Sequence, residues 1–221
     1  MFSVLSPIHR DGWKFIGIFA AITAILYLLN PVLGCVGVAL TVWCCYFFRK
    51  PARVVPADAR WVTSPADGII TRIGTVTPEP SLGLNPGEYH KVSIFLSVFD
   101  VHVQRLPVAG RIEKILYIPG RFISATMDKS SEENERQTIV ITHKDHTIAC
   151  TQIAGLIARR IVTEIAEGDE GSKGQIYGLI RFGSRVDLYL PAAHTVLRVE
   201  TGQRMIGGET IMAEFVSPAA E

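Results

Sequence analysis

Four places along the chain carry residue types that can do chemistry. Asp67 stands in Ser64-Pro65-Ala66-Asp67-Gly68, where a carboxylate between proline and glycine reads, taken alone, as an ordinary turn residue. Asp100 and His102 are two residues apart just past a branched, strand-like run from Val92 to Val98. Residues i and i+2 of a strand share a face, so the carboxylate would stand beside the imidazole and tune it for acid–base work; a structural carboxylate–histidine pair has the same spacing. Arg105 follows, a cation that an anionic substrate or a solvated strand edge could use equally. Last, Gly183-Ser184 opens "RFGSRVDLYLP", a pair that by itself reads as a turn before a strand, because glycine supplies unusual backbone angles and serine bonds locally. His143 and His146 flank Lys144-Asp145, and two histidines without a third ligand nearby read as surface turn residues rather than a metal site, so no metal is expected.

Short strands must position these groups. From Val54 onward, branched runs alternate with turns such as Pro65-Ala66-Asp67-Gly68, Pro119-Gly120 and Gly207-Gly208, which predicts a mainly β domain, a sandwich or barrel, rather than a parallel α/β fold. One hairpin is expected around Lys144-Asp145, and Asp128 to Gln137 reads as a polar, acidic loop. Ahead of this domain, Phe15–Leu29 and Val32–Phe48 carry no charge and are interrupted only by Asn30-Pro31. Two helices broken at the proline follow, each about 25 Å long against a hydrocarbon core of about 30 Å, so the hairpin either spans a membrane or dips into it. Arg10 and Lys14 before it, and Arg49, Lys50 and Arg53 after it, place both ends on the cytoplasmic side. The expected organisation is a membrane-anchoring helical hairpin over 1–53 and a β-rich catalytic domain over 54–221.

The 22 basic and 21 acidic residues among 221 leave no electrostatic bias toward nucleic acid. Cys35, Cys44, Cys45 and Cys150 have no spacing suited to zinc or to a disulfide framework, which points to a reducing compartment.

"PADG", "FDVHVQRLP", "NER" at Asn134 to Arg136 and "GLIRFGSRVDLYLP", in this order, resemble the short-form phosphatidylserine decarboxylases, a pyruvoyl-dependent family. The likeness runs from "HRDGWKF" at His9 to the "TGQRMIGGE" stretch. It implies that the chain cuts itself between Gly183 and Ser184, the Ser184 hydroxyl attacking the Gly183 carbonyl. Elimination and hydrolysis would then leave residue 184 as a pyruvoyl group. The products would be a large chain (1–183) and a small chain (184–221), forming a heterodimer that could assemble further. The pyruvoyl carbonyl would form a Schiff base with the serine amine of phosphatidylserine in the bilayer and act as electron sink, giving phosphatidylethanolamine and carbon dioxide at the cytoplasmic face of the cell membrane.

The resemblance further implies that Asp67 helps self-cleavage and that His102 sits at the pyruvoyl site and assists decarboxylation or proton return; Asp100 joins it as the carboxylate two residues away. Longer bacterial members have a second histidine three positions after the first; here that position is Arg105, which cannot act as a base at neutral pH. Arg105 is therefore expected to bind a carboxylate or phosphate, leaving proton transfer to His102 or Asp67. Two other readings fit parts of the chain. An archaetidylserine-type lipid would differ only in its tails. A membrane-anchored, lipoyl-like carrier or adaptor would use "SPADGIITRIG" and "TGQRMIGGE" as its two arms, but needs an exposed lysine at a hairpin tip or a long coiled coil, and neither is expected here.

Overall fold

The computed structural model describes residues 6–120, 134–155, 160–181 and 184–216. Two compact units make up the chain: residues up to Ala52 together with Phe99–His102, and Arg53–Val98 together with Val103 onward.

The first unit is built on two helices, α1 (Gly12–Leu29) and α2 (Pro31–Phe47), separated as expected at Asn30-Pro31. Asn30 leaves helical geometry, its side chain accepts a hydrogen bond from the Val32 amide at 2.8 Å, and Pro31 takes the first helical position, where its missing N–H costs nothing. The helices pack through small residues. A Cβ on Gly37 would lie 2.7 Å from Thr23 Oγ1 and 3.0 Å from Thr23 Cα, and the Thr23 and Thr41 hydroxyls meet at 3.0 Å across the interface. A Gly37→Val substitution is accordingly expected to force the helices apart and cost about 1–3 kcal/mol, read as a lower unfolding midpoint of the detergent-solubilised protein. Ile18, Ile25, Leu28, Leu29, Val32 and Val42 are all exposed. Helix α1 is long and apolar enough to cross a membrane. At the base of the hairpin the chain entering and the chain leaving are tied together, His9 N–H donating to Phe48 O and Lys50 N–H to Pro7 O.

The second unit is mainly β, as expected. Its large sheet contains β2 (Gly68–Val76), β3 (Tyr89–Leu96), β5 (Gly110–Ile118), β6 (Arg136–His143), β7 (His146–Ala154), β9 (Glu170–Gly171), β11 (Ser184–Pro191) and β13 (Arg204–Met205). The order across it is β13-β2-β3-β11-β7-β6-β5-β9, with every pair antiparallel. Two three-stranded sheets complete the unit. One joins β1 (Trp61–Thr63), β14 (Ile211–Phe215) and β12 (Thr195–Leu197); the other joins β4 (Val103–Arg105), β10 (Ile176–Ile180) and β8 (Ile161–Thr163). Alternation puts Ile94 and Leu96 of β3, Ile148 and Cys150 of β7, and Val186, Leu188 and Leu190 of β11 into one core.

The β6–β7 hairpin turns at Lys144-Asp145 as expected, with Lys144 in the left-handed region at φ 53°. Two expectations are corrected there. Lys144 is exposed at the tip of this hairpin, so the lysine that a carrier would need is present after all. His143 is no surface turn residue: it is buried, its Nδ1 donates to Ala109 O at 2.6 Å and its ring stacks on Phe215. His146 stacks on Phe215 and on His194, so these imidazoles secure the last strand. Of the expected acidic loop, Asp128 to Glu133 lie outside the described residues, whereas Arg136 and Gln137 already belong to β6. Every cysteine is free.

Candidate active site

Ser184 is the first residue of β11, a central strand that it enters opposite Leu96 of β3 and Ala154 of β7. The strand's alternation gives Ser184 the same face as Val186, Leu188 and Leu190, so its hydroxyl points to the core side. Ser184 is fully buried, and its Oγ makes no hydrogen bond to any described residue. Such an atom costs about 1–3 kcal/mol relative to a satisfied one, and it calls for an explanation. On the opposite face Asp187 sits between two cations, Arg185 Nε at 2.9 Å and Lys91 Nζ at 3.1 Å, which fastens the start of the strand. Gly183 lies outside the described residues.

Asp67 is placed by its turn. Ser64 Oγ donates to Ala66 O at 2.7 Å, and Gly68 at φ 153° comes so near β3 that a Cβ would be 2.2 Å from Phe95 O. Only glycine fits there. The Asp67 carboxylate accepts from Arg53 Nη2 on both oxygens, at 3.0 and 2.7 Å, and from the Gly207 amide at 2.7 Å. The "PADG" turn and the Gly207-Gly208 turn are thereby joined through one carboxylate, a link repeated by Gly208 N–H donating to Ser64 O. Arg105 comes into the same cluster. Its amide donates to Pro65 O and its Nη1 to Gly174 O at 2.7 Å. Burial pulls its guanidinium below the ordinary value and the Arg53 charge acts the same way, while Asp67 and Glu209 oppose. Asp67 and Arg105, far apart in sequence, are brought together.

Asp100 and His102 belong to the first unit, and the expectation of a shared strand face is corrected. Strand β3 ends at Leu96 and β4 begins only at Val103, so both residues lie in the connection, and the imidazole Nδ1 donates to the backbone carbonyl of Asp100, 3.0 Å away, rather than resting on a strand-paired carboxylate. A carbonyl partner fixes the tautomer, with the proton on Nδ1 and the lone pair on Nε2. His102 is fully buried, and burial pulls its pKa from 6.5 down to about 4, the charge of Arg49 adding to this while Asp100 opposes. Folding thus favours the neutral ring. This contribution to stability is present above pH 6.5 and drains away as the pH falls toward 4.

Two participants escaped the sequence reading. Arg53 counted only as a basic flank of the hairpin, and nothing in a sequence marks the Gly207 amide as a donor to a carboxylate 140 residues away.

The model of the phosphatidylserine decarboxylase family matches residues 40–213. A protein of Ruegeria pomeroyi named phosphatidylserine decarboxylase proenzyme is 51% identical over 212 residues, which cover 96% of this chain and 96% of the relative. One of the same name from Rickettsia felis is 52% identical over 209 residues, 94% of this chain and 90% of its own. A match of this extent and identity means that the chain belongs to the phosphatidylserine decarboxylase family.

Proposed function

We propose that this chain is a proenzyme that cuts itself before Ser184 and then decarboxylates phosphatidylserine to phosphatidylethanolamine and carbon dioxide. The observation that carries the reading is the Ser184 hydroxyl, buried and without a hydrogen-bond partner among the described residues at the head of a central strand, in a family whose named relatives are proenzymes.

In the self-cleavage the Ser184 oxygen bonds to the Gly183 carbonyl carbon as the 183–184 C–N bond breaks, leaving an ester. Loss of the residue 184 α-proton expels the Gly183 carboxylate. Water then replaces the nitrogen, which departs as ammonia, and residue 184 ends as a pyruvoyl group. That group supplies the electron sink which no side chain provides for a carbanion next to an amine. Asp67 assists removal of the Ser184 proton, Arg53 and the Gly207 amide orient Asp67, and Arg105 holds an anionic group of the lipid. His102, its Nδ1–H held by the Asp100 carbonyl, takes a proton from water on Nε2 and returns it to the α-carbon that has lost carbon dioxide, ending neutral again.

The two products stay together in this reading. Residues 184–221 carry β11, which pairs along its length with β3 and β7, and β14, which pairs with β1. Residues 1–53 act as the membrane anchor and 54–221 as the catalytic domain, on the cytoplasmic face, where a diacyl lipid presents its headgroup. The exposed Lys144 would suit a carrier, but a carrier leaves the buried Ser184 hydroxyl without a purpose.

The test supplies purified protein in detergent with phosphatidylserine labelled in the serine carboxyl. Labelled carbon dioxide should be released, and cyanoborohydride should fix a lipid adduct on residue 184 of the small chain. Processed protein that yields neither product would refute the assignment.

A further inference from the structure

The Phe99–His102 connection and the helical hairpin fall within one compact unit. The contact is made by Phe47, the last residue of α2. Its ring lies against the His102 imidazole, with centroids 4.0 Å apart and planes 29° from parallel, and both residues are fully buried. Phe47 is braced in turn. Phe48 meets it edge-on at 5.0 Å, and Phe15 of α1 stacks on Phe48 at 5.5 Å and 9°. Arg49, two residues beyond the helix, covers the Tyr46 ring at 3.4 Å and donates from Nη2 to the Phe99 carbonyl at 3.2 Å. One face of the imidazole is therefore set by the end of a helix, and its Nδ1 edge by the Asp100 carbonyl.

We propose that Phe47 is a positioning residue for decarboxylation, so that the helical hairpin holds the His102 ring in its working plane and surroundings as well as anchoring the chain. The inference rests on the reading that His102 serves the decarboxylation step. A flat aromatic contact does two things to an imidazole. It restricts rotation of the ring, and it excludes water from one face, so that the neutral form persists; the charged groups acting on His102 are Arg49, which adds to this, and Asp100, which opposes it. An α-helix turns about 100° per residue, so the register of α2 at its membrane exit decides whether Phe47 meets His102 at all. Proper seating of the hairpin thereby becomes a condition for turnover.

Three variants of the full chain, assayed in phosphatidylserine micelles, test this. Phe47→Leu keeps volume and apolarity but removes the flat ring. It should cut itself as the parent does, since the cleavage roles fall to Ser184, Asp67 and Arg53 and not to His102. Its kcat should fall about ten- to a hundredfold with KM within about twofold, and the low-pH limb of kcat should move up by about one pH unit as water reaches the imidazole. Phe47→Tyr, which keeps the ring, should recover most of the rate. A Phe47→Leu enzyme with the parent's kcat and pH limb would overturn the proposal. His102→Ala separates the two ideas: if it decarboxylates normally, the role of His102 is wrong, whatever Phe47 does. Should Phe47→Leu not accumulate in folded form, nitrogen NMR of histidine in the processed parent decides. A His102 ring that stays neutral from pH 8 to 5.5 supports the proposal, and one that titrates near 6.5 refutes it.

Discussion

A Ser184→Ala chain is expected to remain one uncut polypeptide and to release no carbon dioxide, whereas the parent separates on denaturation into two fragments divided before residue 184. The effect should be complete, because the substitution removes at once the nucleophile for cleavage and the precursor of the electron sink. Folding should survive it. Ser184 is fully buried and its hydroxyl has no hydrogen-bond partner among the described residues, so alanine deletes an unsatisfied polar atom and leaves the β11 register with β3 and β7 unchanged. An alanine variant as stable as the uncut precursor, or more so, is the expected companion result. Denaturing intact-mass spectrometry reads the outcome directly, the smaller fragment of the parent carrying a blocked amino terminus. Fragments of the same masses from the alanine variant would remove Ser184 from the chemistry.

Much of this architecture is legible in the residues, and the misreadings share a physical cause. Asn30-Pro31 breaks two uncharged runs, and a proline lacking its N–H can do little else inside such a run. The alternation after Ser184 announces a half-buried strand with the serine at its mouth. The reading of Asp100 and His102 failed because branched residues continue to Val98 after the strand has ended at Leu96; what holds the next residues is the hairpin, and no local pattern reports a distant partner. Arg53 was hidden by its neighbours. Beside Arg49 and Lys50 at the end of an apolar helix, a basic residue reads as a membrane flank, and its carboxylate partner emerges only when the chain folds. Phe47 is one apolar residue in an apolar run, and its aromatic contact with His102 has no signature of its own.

Asp67→Asn should block self-cleavage, and Arg53→Met should slow it about ten- to a hundredfold, both followed as the appearance of the two fragments after synthesis in vitro. Asparagine keeps the size of the side chain and one oxygen that can accept from the Gly207 amide, so the turn survives while the carboxylate chemistry is lost. Methionine at position 53 removes a charge-assisted contact to both oxygens of a carboxylate that is nearly buried, its side chain 13% exposed. Hydrogen bonds to charged groups contribute about 1.5–3 kcal/mol, and if that loss falls on the cleavage transition state it corresponds to the stated range of rates. Arg53→Lys should recover part of the rate, since an ammonium restores the charge but not the planar guanidinium whose Nη2 reaches both oxygens. The pattern across variants assigns the base in a chain whose Arg105 cannot serve as one. Asp67→Asn uncut with His102→Ala cut but unable to decarboxylate gives cleavage to the carboxylate and turnover to the imidazole; the reverse pattern exchanges the two, and an Asp67→Asn chain that cuts itself at the parent's rate takes Asp67 and its Arg53 clamp out of the reaction.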